Sequence, residues 1–149
     1  MANHHPGAGR KGIMNRHALA EMAVRAYLCS MKLQQASITD NESVLSFYDD
    51  VTERTPMIER YARWQKGKHP TAEGIKAYIQ EGSLYLYKEG ETIVGAMAIT
   101  MCQGEDYHAI EWLRSVADDE VAVIHILAVS PEKQGAGIGS EMIDGLLFL

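Results

Sequence analysis

The sequence predicts an α+β domain, and three observations carry that expectation. Apolar spacing is helical as far as about residue 82 and then changes to strand-like runs. Glu89-Gly90-Glu91 separates two of those runs in the manner of a hairpin. A third apolar run, residues 120–130, ends at Pro131 and passes through a glycine-rich turn into a last helical pattern. At 149 residues, 46% hydrophobic and 23% charged, the chain has the size and composition of one soluble globular domain.

Residues 1–15 contain Gly, Pro and His without periodicity and read as a mobile leader. His4 and His5 have no third ligand nearby and suggest no metal site. A short helix is expected over residues 16–30, with Leu19, Met22, Ala26 and Cys29 on one face. Met31 opens a fresh start into a strand over residues 32–37, so the domain proper is expected at 31–149. The first thirty residues then form an extension, an upstream translation or an expression remnant. Thr39 and Glu42 have the spacing of a capping box, opening a helix to about Arg54 with Val44, Leu45, Tyr48 and Val51 inward. Residues 57–70, with Tyr61, Trp64 and a basic KGKH run, are ambiguous. A second helix starts near Thr71, buries Ile75, Tyr78 and Ile79, and ends at Gly82. Strands are expected over 83–88 and 92–101, and a polar loop over 102–119 carries Tyr107, His108 and Trp112. Residues 120–130 are apolar on both faces, which predicts a strand in the middle of the sheet.

Composition excludes several classes of function. A formal charge of −6 with scattered basic residues offers no clustered face for nucleic acid. The most apolar early stretch, 18–31, is broken by Glu21 and Arg25, which suits neither a membrane span nor a signal peptide. Cys29 and Cys102 make neither a disulfide framework nor a metal site. A reduced, cytoplasmic protein without a metal is expected.

The informative stretch is LAVSPEKQGAGIGS, residues 127–140. A buried strand delivers the chain to a glycine turn from which a helix starts. Helix N-termini expose unpaired N–H groups and the positive end of the helix dipole, and glycines let an anion approach the backbone. Taken alone, such a turn is more often a plain strand-to-helix connection. It is not a P-loop, because no Lys follows Gly139. Nor is it a dinucleotide fingerprint: counted from Gly135 or Gly137, the last glycine position holds Ser140 or Met142.

It does resemble the [QR]-x-x-G-x-[GA] motif of the GNAT superfamily of N-acetyltransferases, as Gln134-Gly135-Ala136-Gly137-Ile138-Gly139 behind a strand ending LAVSP. The upstream order of strand, helix pair, hairpin and apolar strand is similar to that family over about residues 31–149. The resemblance implies a GNAT (acyl-CoA N-acyltransferase) fold, a mixed, mostly antiparallel sheet with flanking helices. It implies acetyl-CoA as co-substrate, with its pantetheine arm on the backbone of Leu127, Ala128 and Val129. The pyrophosphate would then lie on the N–H groups of Gln134, Gly135, Ala136, Gly137, Ile138, Gly139 and Ser140. A bulge near Val129 would hold the thioester.

Acetylating an amine requires a base. His125 is the first candidate, since imidazole titrates near roughly pH 6.5. His125-Ile126-Leu127-Ala128-Val129 also resembles the H-x-L-A-V segment of the arylalkylamine branch, whose histidine is the base. A buried, hydrogen-bonded histidine is the plain alternative, and Glu111 and Glu120 are the carboxylate candidates. Tyr61, Trp64, Tyr107, His108 and Trp112 are expected either to wall the amine acceptor, through cation–π contact, or to pack. A complete family domain continues beyond this helix with further strands that hold the rest of the cleft. Either the sequence is therefore a fragment, or another chain, as in a homodimer, supplies the wall. The function expected is acetyl transfer from acetyl-CoA to a primary amine of a small molecule or protein. The rivals are a non-catalytic acyl-CoA-binding module or inactive truncated enzyme, and a nucleotide-phosphate binder that prefers ATP.

Overall fold

The computed structural model describes residues 31–148. The leader, the helix over 16–30 and Cys29 lie outside the described residues, as does Leu149. The elements are β1 (Lys32–Gln35), α1 (Asn41–Arg54), α2 (Ile58–Ala62), α3 (Ala72–Gln80), β2 (Leu84–Glu89), β3 (Thr92–Thr100), β4 (Val123–Val129) and α4 (Ile138–Gly145). Single 3-10 turns occupy Ile38–Asp40, Glu105–Ala109, Asp118–Glu120, Pro131–Lys133 and Leu146–Phe148. The sheet runs β1-β2-β3-β4, and each neighbouring pair is antiparallel.

Two helical faces sandwich this sheet. α1 turns Val44, Phe47, Tyr48 and Val51 inward, and α3 turns Ile75 and Ile79 inward. Both pack on Leu84, Leu86, Ala96, Ala98 and Ala128. On the other face α4 sets Ile138 and Met142 against Met31, Tyr87, Val94 and Met97. α3 begins as its sequence suggests, with the Thr71 side chain accepting from Gly74 N–H at 3.0 Å. The hairpin also forms where expected. Glu89 pairs with Thr92, leaving Gly90 and Glu91 as the loop, and Gly90 takes φ 60°.

Three expectations are corrected. The strand in the middle is β3, buried on both faces from Val94 to Ala98. β4 pairs with β3 alone among the described residues and is mostly half-buried, with Ile126 and Ala128 packed on one face and Leu127 and Val129 on the other, so its apolar run marks a strand packed on both faces with one edge open. It also starts later, at Val123, because residues 118–120 wind into a turn.

The helix start differs too. Ser37 donates to Asp40 Oδ2 through its N–H at 2.9 Å and its hydroxyl at 2.8 Å, in place of the Thr39–Glu42 box. A tertiary contact favours that frame, because Lys88 of β2 pairs with Asp40 Oδ1 at 2.8 Å. The hydrogen bond from Lys88, and then that from Ser37 N–H, hold the Asp40 carboxyl below its ordinary value.

Trp64 of the ambiguous stretch is a core residue. It is 7% exposed and meets the Tyr48 ring edge-on at 5.8 Å, so its indole is engaged in packing.

Candidate functional site

The glycine motif is built as a strand, a turn and a helix. β4 ends at Val129, and Ser130 N–H still pairs inward with Val94 O at 2.9 Å. The backbone groups of Val129 therefore face the open edge. There Gln134 turns back, and its Nε2 donates to Val129 O at 3.1 Å and to Thr55 Oγ1 at 3.0 Å. This side chain ties the turn to both β4 and the end of α1. Gly135 and Gly137 then take φ 80° and 86°, a region closed to most side chains, and Gly137 caps α4. Of the seven N–H groups from Gln134 to Ser140, that of Ala136 is directed back to Lys133 O at 3.3 Å. Two cations beside the turn are themselves paired: Lys133 with Glu89 at 2.9 Å, and Arg54, brought there by the fold, with Glu132 and Asp50. An anion at this turn would meet backbone donors and the helix dipole rather than a free cationic side chain. The Ser130 hydroxyl, then the N–H of Glu132 itself and Arg54, hold the Glu132 carboxyl down to about 2.

Upstream, β4 is broken by a bulge. Ala128 pairs with Ala96, yet His125 pairs with Ala98, so Ile126 and Leu127 together oppose Met97. The family resemblance implied this feature near Val129; it lies at 126–127. Ile126 takes φ 45°, a left-handed conformation that costs a β-branched residue about 1–3 kcal/mol. Its carbonyl accepts from the Tyr48 hydroxyl at 2.9 Å. Burial, and secondarily the neighbouring Tyr78, push the Tyr48 phenol well above its ordinary value, so it stays protonated as a donor.

His125 lies beside this bulge. Its Nε2 is 2.9 Å from Thr100 Oγ1, and its ring stacks on Tyr78 of α3 with centroids 5.9 Å apart. The other base candidates lie elsewhere. Glu111 is exposed on the connector between β3 and β4, and Glu120 accepts from Ala117 N–H at 3.1 Å to close a turn.

The aromatic candidates do not gather in one place. Tyr61 is 76% exposed on α2, Trp64 is buried, and Trp112 stacks on Tyr107 at 6.5 Å in the connector. Trp112, Leu113, Val116 and Val121, with Gln103 and Arg114, line a cleft of about 330 Å³. His108 pairs with Asp118 at 2.9 Å. The Asp118 carboxyl is held below its ordinary value by Gln103 and then by His108. Sequence reasoning treated Tyr48 and Tyr78 as helix-face packing residues and passed over Thr100. Only the tyrosine hydroxyls, polar tips on otherwise apolar faces, hinted at more.

Comparisons with known proteins agree with this architecture. The model of the acetyltransferase (GNAT) family matches residues 44–148, more than half of the chain. A GNAT-family acetyltransferase from Streptococcus agalactiae superposes with a TM-score of 0.68 at 17% identity, over 79% of this chain and 69% of its own. A protein from Staphylococcus aureus gives 0.58 at 23% identity, over 78% of this chain and 69% of its own. A GNAT-family acetyltransferase from Brucella melitensis, solved with acetyl-CoA, gives 0.51 at 17%, over 79% and 67%. No curated protein matches the chain. No helix among the described residues is long and apolar enough to cross a membrane. With its sheet, its flanking helices and its glycine turn in family order, the chain belongs to the acetyltransferase (GNAT) family.

Proposed function

We propose that the chain, through residues 31–149, transfers the acetyl group of acetyl-CoA directly to a primary amine. The observation that carries this reading is the continuity of β4 with the glycine turn and α4. An open strand edge leads, through the single turn Pro131–Lys133, to two left-handed glycines and a helix N-terminus. That sequence of surfaces suits a ligand with a peptide-like arm and a pyrophosphate. The arm would pair with the edge at 127–129, and the N–H groups after Gln134 would meet the phosphates. Acetyl-CoA has both parts, and the relative from Brucella melitensis was solved with it.

The thioester then falls at the bulge, next to His125. The Thr100 hydroxyl lies 3.5 Å from Cys102 O and donates to it. In that arrangement Thr100 accepts from His125 Nε2–H, and Nδ1 keeps the lone pair. Nδ1 takes the proton of the incoming ammonium, the freed amine attacks the thioester carbon, the C–S bond breaks, and the second proton of the attacking nitrogen passes to the departing thiolate, giving amide and free thiol. Holding amine and thioester together supplies much of the acceleration. The reading places the reaction in the cytoplasm, with a small molecule or protein as acceptor.

Calorimetric titration with acetyl-CoA, with ATP as control, followed by a thiol-release assay over an amine panel, tests this function. Binding of acetyl-CoA with thiol release is the expected result. Binding without release makes the chain an acyl-CoA-binding module, and preference for ATP overturns the assignment.

A further inference from the structure

Ile126 needs an outside restraint, because a β-branched residue does not settle at φ 45° unaided. The described contacts supply one. The Tyr48 hydroxyl donates to the Ile126 carbonyl at 2.9 Å across 78 residues of sequence. Its own ring is held by packing. It is 2% exposed, sits edge-on to Phe47 at 5.4 Å and Trp64 at 5.8 Å, and belongs to the regular helix α1. The donor is therefore held in place, and the bulge conforms to it.

The consequence follows from peptide geometry. In a trans peptide the C=O of one residue and the N–H of the next point in opposite directions. A tyrosine that draws the Ile126 carbonyl toward the α1 layer turns the Leu127 N–H away from that layer. We propose that Tyr48 is a positioning residue of the acyl site: by holding the Ile126 carbonyl it aims the Leu127 N–H at the acyl-bearing arm of acetyl-CoA. This inference rests on the acetyl-CoA reading above and assigns α1 a part in it beyond packing.

The test separates the two ends of the ligand. Wild type and Tyr48→Phe are titrated with acetyl-CoA and with adenosine 3′-phosphate 5′-diphosphate, which reaches only the glycine turn. The expected result is about tenfold weaker acetyl-CoA binding by the variant, with nucleotide affinity held within about twofold. Ile126→Gly supplies a second comparison, because glycine adopts the left-handed conformation without help. Adding Tyr48→Phe to Ile126→Gly is expected to cost less acetyl-CoA affinity than adding it to wild type. If Tyr48→Phe alone melts too low to titrate, the Leu127 amide resonance of wild type carries the test: acetyl-CoA is expected to shift it and the nucleotide to leave it in place, and no shift with bound acetyl-CoA overturns the inference. Equal weakening for both ligands, no weakening, or the same loss in both backgrounds overturns the inference and leaves the acetyl-CoA reading standing. A folded wild type that binds the nucleotide and not acetyl-CoA overturns both.

Discussion

Gly95 of β3 and Met142 of α4 meet so closely that a Cβ on Gly95 would overlap the methionine sulfur. The same Cβ would stand 3.4 Å from Ala128 O, and Gly95 pairs across the ladder with Val129. The bare α-carbon thus lets α4 rest on the sheet beside the end of β4. That contact sets where the helix N-terminus lies relative to the strand edge.

Gly95→Ala is expected to destabilise the fold by about 1–3 kcal/mol, since Met142 is fully buried and has little room to move. Urea denaturation measures this. Met142→Ala in the same chain is expected to cost less than the sum of the two single changes, because it clears the overlap. Strict additivity would show that the two residues do not compete for the space.

Gly137→Ala tests the turn. A Cβ there meets open space, so the penalty is conformational, about 1–2 kcal/mol from φ 86°. Gly67 at φ 71° is equally open and lies far along the chain from the motif, which makes Gly67→Ala the control. Both are expected to lower stability similarly, while only Gly137→Ala weakens acetyl-CoA binding, by at least about tenfold in calorimetry.

His125→Ala is expected to reduce turnover about a hundredfold in the thiol-release assay, with acetyl-CoA affinity nearly unchanged. Thr100→Val, which leaves the imidazole but removes its 2.9 Å partner, is expected to reduce turnover less. Unaltered turnover in His125→Ala removes this residue from the chemistry.

Acid stability has a defined sign at Asp40. Its folded pKa lies below the ordinary 3.8, so the Asp40–Lys88 pair contributes stability above that value. The contribution is lost as pH falls from about 3.8 through the lower folded pKa. Asp40→Asn is expected to flatten this part of the acid unfolding curve followed by circular dichroism. A curve unchanged below pH 3.8 would mean that the pair contributes nothing.

Local chemistry made much of this protein legible from its residues. Gly90 between two apolar runs specifies a hairpin, Thr71 before Ile75 and Ile79 specifies a helix start, and the order Gln134 to Gly139 after LAVSP specifies the strand–turn–helix. Each depends on neighbours a few residues apart. What the sequence could not convey depends on partners far along the chain. Lys88 chose the Ser37–Asp40 frame over Thr39–Glu42. Trp64 went to the core because Tyr48 was there to receive it. The centre of the sheet passed to β3, since apolar content on two faces does not reveal how many strands lie alongside. The bulge lies at Ile126 and Leu127, where a hydroxyl 78 residues away meets the Ile126 carbonyl. Periodicity and turn chemistry act over one or two turns of backbone and so can be read along a line. Tertiary hydrogen bonds and close packing select among local alternatives of nearly equal energy, and only the folded chain brings those partners within reach.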